Sequence, residues 1–80
     1  MISGEQIRGA RALVGISGRE LASLAGVSYP TIQRVEAQGT GKSAVATIDA
    51  IRRALEAQGV QFLESGQVAA GPGVALGNRP

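Results

Sequence analysis

The chain contains neither cysteine nor histidine. The first absence excludes a disulfide-stapled scaffold and a thiolate metal site. The second removes the commonest metal ligand and the side chain that most often serves as a general base near neutral pH. Tryptophan is missing and there is one Phe and one Tyr, so any core must be aliphatic. Charge is sparse: eight Lys and Arg against six Asp and Glu leave a net +2, which by itself identifies no partner. No apolar run approaches the roughly 20 residues that cross a bilayer, so no membrane partner is expected. The N-terminus shows no basic segment leading into an apolar stretch, so no secretory leader is expected either, and a cytoplasmic protein is the expectation.

What is present suits one small globular domain. The 80 residues are 44% hydrophobic, mostly Ala, Val, Leu and Ile, and 18% charged. Ser3 and Gln6 stand at capping-box spacing, Ile7, Ala10 and Val14 recur at helical intervals, and Gly15 closes the element. Ser17 and Glu20 repeat the pattern before a stripe of Leu21, Leu24 and Ala25, and Gly26 ends it. A third helix begins two residues on: Ser28 is its N-cap, Pro30 falls in its first turn, and Val27 and Ile32 have staple spacing. Ile32 and Val35 point inward, leaving Pro30, Gln33, Arg34 and Ala37 on another face with Tyr29 beside it. After a glycine-rich loop, a fourth helix is expected over about Ala44 to Ala57, capped by Ser43, with an inner stripe of Val45, Ile48, Ile51 and Leu55. Beyond Gly59, Val60–Leu63 and Gly73–Leu76 read as two short strands. The division expected is a helical domain over 1–59 and an extension over 60–80, its last four residues frayed.

Residues 17–36 carry the functional signal. Two short helices meet across a turn at Gly26. Ala22 is small enough for their close approach, and Ile32 and Val35 supply the contact between them. The outer face of the second helix is then free to enter a major groove. The run ELASLAGVSYPTIQRVE, Glu20 to Glu36, resembles the central pattern of the Cro/CI-type helix-turn-helix family, also called the XRE family. The resemblance extends from about Gln6 to Gly59, roughly two-thirds of the chain.

That resemblance implies a mainly α, lambda-repressor-like bundle of four or five helices, here with a short C-terminal β-hairpin or strand. It implies a transcriptional regulator that binds double-stranded DNA through a recognition helix at about 28–37. By position, Ser28, Tyr29, Pro30, Thr31, Gln33 and Arg34 match the family's DNA-facing surface. Arg34 can bond guanine O6 and N7 bidentately and Gln33 can pair with the adenine edge. Tyr29 can reach a phosphate or press on a thymine methyl, Thr31 can do either, and Pro30 offers apolar contact. Phosphate contacts are expected at Ser28, at Arg19, at Lys42 beside Ser43, and at Gly18. At Gly18 the chain departs from the family: many members carry a glutamine there that holds phosphate, and here backbone N–H groups are left to do so. The resemblance also implies a partly buried ion pair between Arg11 and Glu36, orienting more than stabilising.

One domain of this size reads few base pairs, so useful specificity needs a two-fold homodimer on two half-sites. Val60, Phe62, Leu63, Val74 and Leu76 are too apolar for a solvated tail and are the candidate dimer contacts; a hairpin closing over its own bundle is the competing arrangement. With no sensor domain, control by concentration or by a regulatory protein partner is expected. The alternative function is a protein-interaction module on the same fold, an antitoxin or anti-activator. No enzyme, cofactor or metal site is expected. The carboxylates are scattered and no nucleophile has a nearby base. Gly41-Lys42-Ser43 fails as a phosphate-binding P-loop because Glu36 stands where its first glycine belongs, and Gly71–Gly77 fails the dinucleotide pattern at Leu76. Arg52 and Arg53 are expected to pair with Asp49 and Glu56 at helical spacing.

Overall fold

Three serines each start a helix in the computed structural model, which describes residues 2–41, 43–63 and 73–76, with only the backbone at 63 and 73–76. Helix α1 spans Gly4–Val14, α2 Gly18–Ala25 and α3 Tyr29–Gln38. Ser3 and Ser17 each form a full capping box, with Gln6 and with Glu20: the hydroxyl accepts the third helical N–H, and that residue's side chain accepts from the serine N–H. Ser28 Oγ accepts from the Thr31 N–H, and Pro30 sits in the first turn, where no donor is missed. Gly15 and Gly26 end α1 and α2 in left-handed conformations, at φ 73° and 70°. At Gly26 this reverses the chain within a few residues, so that α3 packs back on α2.

Helix α4 runs over Val45–Ala57 and packs on α1 and α2. Its start differs from the sequence expectation. The N-cap is Ala44, with no side-chain cap, and Ser43 donates its N–H to the Thr40 carbonyl instead. Ser43 stands one residue before the N-cap, too early for its hydroxyl to cap, and its N–H closes the preceding turn. Val45, expected on the inner stripe, is 70% exposed. It occupies the first helical position, off the face shared by Ile48, Ile51 and Leu55, where none of the described elements covers it. Leu24 likewise lies outside, 52% exposed, while Leu21 and Ala22 are buried and Ala25 packs against the core. The inward face of α2 is set by Leu21, Ala22 and Ala25, and Leu24 points well away from it.

The core is aliphatic: Ile7, Leu21, Ile32, Val35, Ile51 and Leu55 are its largest fully buried members. Strands β1 (Val60–Leu63) and β2 (Gly73–Leu76) pair antiparallel, with Val60 opposite Leu76 and Leu63 opposite Gly73. The hairpin lies over the chain's own bundle, β1 on α4 and α1 and β2 on α1. Val60, expected at a dimer contact, is instead part of the core at 4% exposure, and Phe62 is half-buried against it. Two-residue periodicity sends both side chains to the same face of the strand, toward the helices. The expectations for Lys42, for the 77–80 tail and for the side chains of Leu63, Val74 and Leu76 fall outside the described residues. The architecture is thus a mainly α bundle of four helices with a short two-stranded extension, and among the described residues no helix is long and apolar enough to cross a membrane.

Candidate nucleic-acid interface

The outward face of α3 follows from its two inward residues. With Ile32 and Val35 buried, helical geometry turns Pro30, Gln33, Arg34 and Ala37 to solvent, and all four are exposed. Neither Gln33 nor Arg34 has a protein partner among the described residues. Thr31 is half-buried, and its Oγ1 lies 2.8 Å from Ser28 Oγ. Two hydroxyls share that one bond, so one O–H stays free to donate to an acceptor outside the protein.

The only acid on α3 is Glu36, and it is fully engaged. Arg11 reaches it with two charge-assisted hydrogen bonds, Nε to Oε2 at 2.7 Å and Nη2 to Oε1 at 2.9 Å. The side chains are 22% and 11% exposed. Arg11 Nη1 also donates to the Ile16 carbonyl at 3.3 Å, and Arg8 Nη2 donates to the Glu36 carbonyl at 3.2 Å. The hydrogen bond to Glu36 raises the Arg11 pKa above its ordinary value against the opposing effect of burial, and the negative charge of Glu36 adds to it. Arg11 and Glu36 thus stand together as a bidentate pair that ties α1 to α3 and to the α1–α2 turn.

A second tie joins α1 to the end of α3. A Cβ added at Gly4 would overlap the Val35 carbonyl oxygen, so the two backbones touch there. Thr40 Oγ1, buried, donates to the Ile2 carbonyl at 2.7 Å. Helix α3 is therefore fixed at its start through α2 and at its end through α1.

Tyr29, expected on the DNA-facing surface or else partly packed, is partly packed. Its ring is half-buried and belongs to the edge of the core. Cε1 lies 2.8 Å from where a Gly18 Cβ would be, so the space left by the missing side chain at 18 is filled by the tyrosine ring. The Arg19 guanidinium carbon sits 4.4 Å from the ring centroid, over its face. Sequence spacing alone carried no sign of this: residues 18, 19 and 29 meet only once the turn at Gly26 has folded α3 against α2.

The remaining charges lie elsewhere. Arg53 pairs with Asp49 at 2.8 Å, and Arg52 lies 4.0 Å from Asp49 and 3.8 Å from Glu56, all on α4. Glu20 is held in its capping box at the Ser17 N–H. Arg19 and Arg34 are left without a carboxylate partner among the described residues, as is Arg8, whose guanidinium donates to the Glu36 backbone carbonyl. No protein-family model matches the chain, and no curated protein matches it.

Proposed function

We propose that the chain is a sequence-specific DNA-binding transcriptional regulator that lays α3 in the major groove. One observation carries the reading: α3 presents an exposed face of Gln33 and Arg34, free of competing carboxylates, on a helix whose inner face is locked into the core. Arg34 suits guanine O6 and N7, and Gln33 suits the adenine edge. Ser28 and Thr31 offer one free hydroxyl donor to a phosphate, and Pro30 an apolar contact. The resemblance of residues 20–36 to Cro/CI-type sequences supports the same assignment. It works in the cytoplasm of a prokaryote or an infecting phage's host, at the nucleoid.

The ten residues of α3 reach few base pairs, so the functional unit we infer is a homodimer on a pseudo-palindromic site. The paired strands are its candidate contact through their outer edges, since the side chain of Val60 is spent on the core.

Selection from random duplex DNA, followed by Arg34→Ala on the winning sequence, tests the assignment. Discrimination at one base position should fall by about 1–3 kcal/mol with the rest of the site read as before. Sedimentation with that duplex should give two chains per site. Selection that enriches no sequence, or an Arg34→Ala chain that discriminates like wild type, refutes the groove-reading role of α3.

A further inference from the structure

Tyr29 stands at the first position of α3, where a base-reading side chain would be expected to reach out, yet protein meets it on several sides. The absent side chain of Gly18 makes room for its ring edge, Ile32 closes the same corner at 3.7 Å from the Gly18 Cβ position, and Arg19 covers its face. A ring so enclosed is poorly placed to meet base edges. It is well placed to hold a guanidinium.

We propose that Arg19, stacked on the Tyr29 ring, is a preset phosphate grip beside α3, and that Tyr29 serves as its positioning residue rather than as a base reader. The proposal rests on the DNA-binding reading above and assigns two residues within it. A guanidinium stacked on a ring uses its π-face and keeps its N–H donors in plane, directed away from the ring. Those donors match a phosphate's oxygens two at a time. Free arginines lose much rotamer freedom when they engage a ligand, and stacking removes part of that loss beforehand. No carboxylate pairs with Arg19 among the described residues, so an incoming phosphate meets no competitor. Gly18 completes the device, because any Cβ there would push the ring away.

Anisotropy titrations of the full chain against its selected site and against an unrelated duplex, over a series of salt concentrations, test this. Arg19→Ala, at an exposed position that leaves the core untouched, should weaken both duplexes equally and lower the slope of log K against log salt by about 1. Tyr29→Phe keeps the ring and should bind as wild type. Tyr29→Leu keeps apolar bulk without a π-face and should match Arg19→Ala, and the double variant should be no worse than either single one. Three results overturn the proposal: an unchanged slope in Arg19→Ala, a loss in Tyr29→Phe equal to that in Tyr29→Leu, or a Tyr29 variant that alters the ratio between the two duplexes. If Arg34→Ala loses discrimination while the Arg19 and Tyr29→Leu variants behave as wild type, the grip alone is wrong. If wild type binds no duplex at any salt, the DNA-binding reading falls and the grip with it.

Discussion

Replacing Gly4 by alanine probes how α3 is held at its far end. At an open helical position the exchange would stabilise by roughly 0.5–1 kcal/mol, because glycine loses more backbone freedom on folding. Here the new methyl would overlap the Val35 carbonyl oxygen and lie 3.0 Å from the Glu36 oxygen and 3.2 Å from the Glu36 Cα. All three are backbone atoms, which cannot rotate aside. Helix α1 would have to retreat from α3 by something on the order of 1 Å to restore ordinary contact. That retreat stretches the buried Thr40–Ile2 hydrogen bond and the Arg8 contact to the Glu36 carbonyl. Overpacking costs about 1–3 kcal/mol and a weakened buried hydrogen bond about 1 more. Set against the backbone gain, the net loss is about 1–3 kcal/mol, or roughly 5–20 °C in Tm for a domain of this size. Gly41→Ala is the matched control, since a Cβ there meets nothing within 4 Å and its φ is not positive. It should stay within about 0.5 kcal/mol of wild type. Thermal melts followed by circular dichroism read both. A Gly4→Ala chain that melts at or above wild type would show that α1 does not brace α3 and would refute the argument.

Glu36→Gln keeps the side-chain shape but leaves Arg11 without its counter-charge in a partly buried site, and should cost about 1–3 kcal/mol in urea unfolding; a loss under about 0.5 would make the pair idle. Pairing raises the Arg11 pKa, so its contribution is fully present below the ordinary arginine range and lost only as pH climbs past the raised value. The cost of Arg11→Met should accordingly be constant between about pH 7 and 9, and a steady decline over that window would contradict the sign. Gly26→Ala forces a Cβ into a left-handed turn at φ 70° and should destabilise by about 1–2 kcal/mol, although the space around it is open. Leu24→Ala should be nearly neutral while Leu21→Ala costs about 2–5 kcal/mol, and equal losses would place α2 in a different rotation.

Local chemistry made most of the helical frame legible. The serines at 3, 17 and 28 and the glycines at 15 and 26 act over a turn or less of chain, and each does what its spacing implies. Helical periodicity placed Ile7, Ala10, Ile32, Val35, Ile48, Ile51 and Leu55 inside. It failed at Leu24 and Val45, where hydrophobicity stood in for facing direction on helices too short, or too near their ends, to have both sides covered. Ser43 misled because a serine before an apolar run caps a helix only if the turn geometry delivers it one residue later. Val60 was read as surplus to the bundle because the sequence does not reveal that the helices leave a gap for one more aliphatic side chain. The exposed face of Gln33 and Arg34 was legible from Ile32 and Val35. The packing of Tyr29 on Gly18 and Arg19 was not, because it depends on the angle at which α3 crosses α2.

The whole-chain charge of +2 understates the field around α3. Asp49 and Glu56 are matched with Arg52 and Arg53 on α4, so that region contributes little at a distance. Glu36 is matched with Arg11, and that match removes the one negative charge that α3 itself would otherwise carry. Arg34 on α3 and Arg19 on α2, over the Tyr29 ring, are each without a carboxylate partner among the described residues, and the nearby acid Glu20 has its carboxylate turned to the Ser17 N–H of its capping box. Electrostatic attraction to a polyanion depends on such local imbalance within about a Debye length, roughly 8–10 Å at physiological salt, rather than on the total. The Arg11–Glu36 pair thereby has two effects from one geometry: it fixes α3 against α1, and it clears the helix of acid. On the proposed DNA-binding reading, a chain with little net charge would then present a basic edge to the duplex while the rest of its described surface stays nearly neutral, which would limit non-specific attraction and leave discrimination to the side chains on α3.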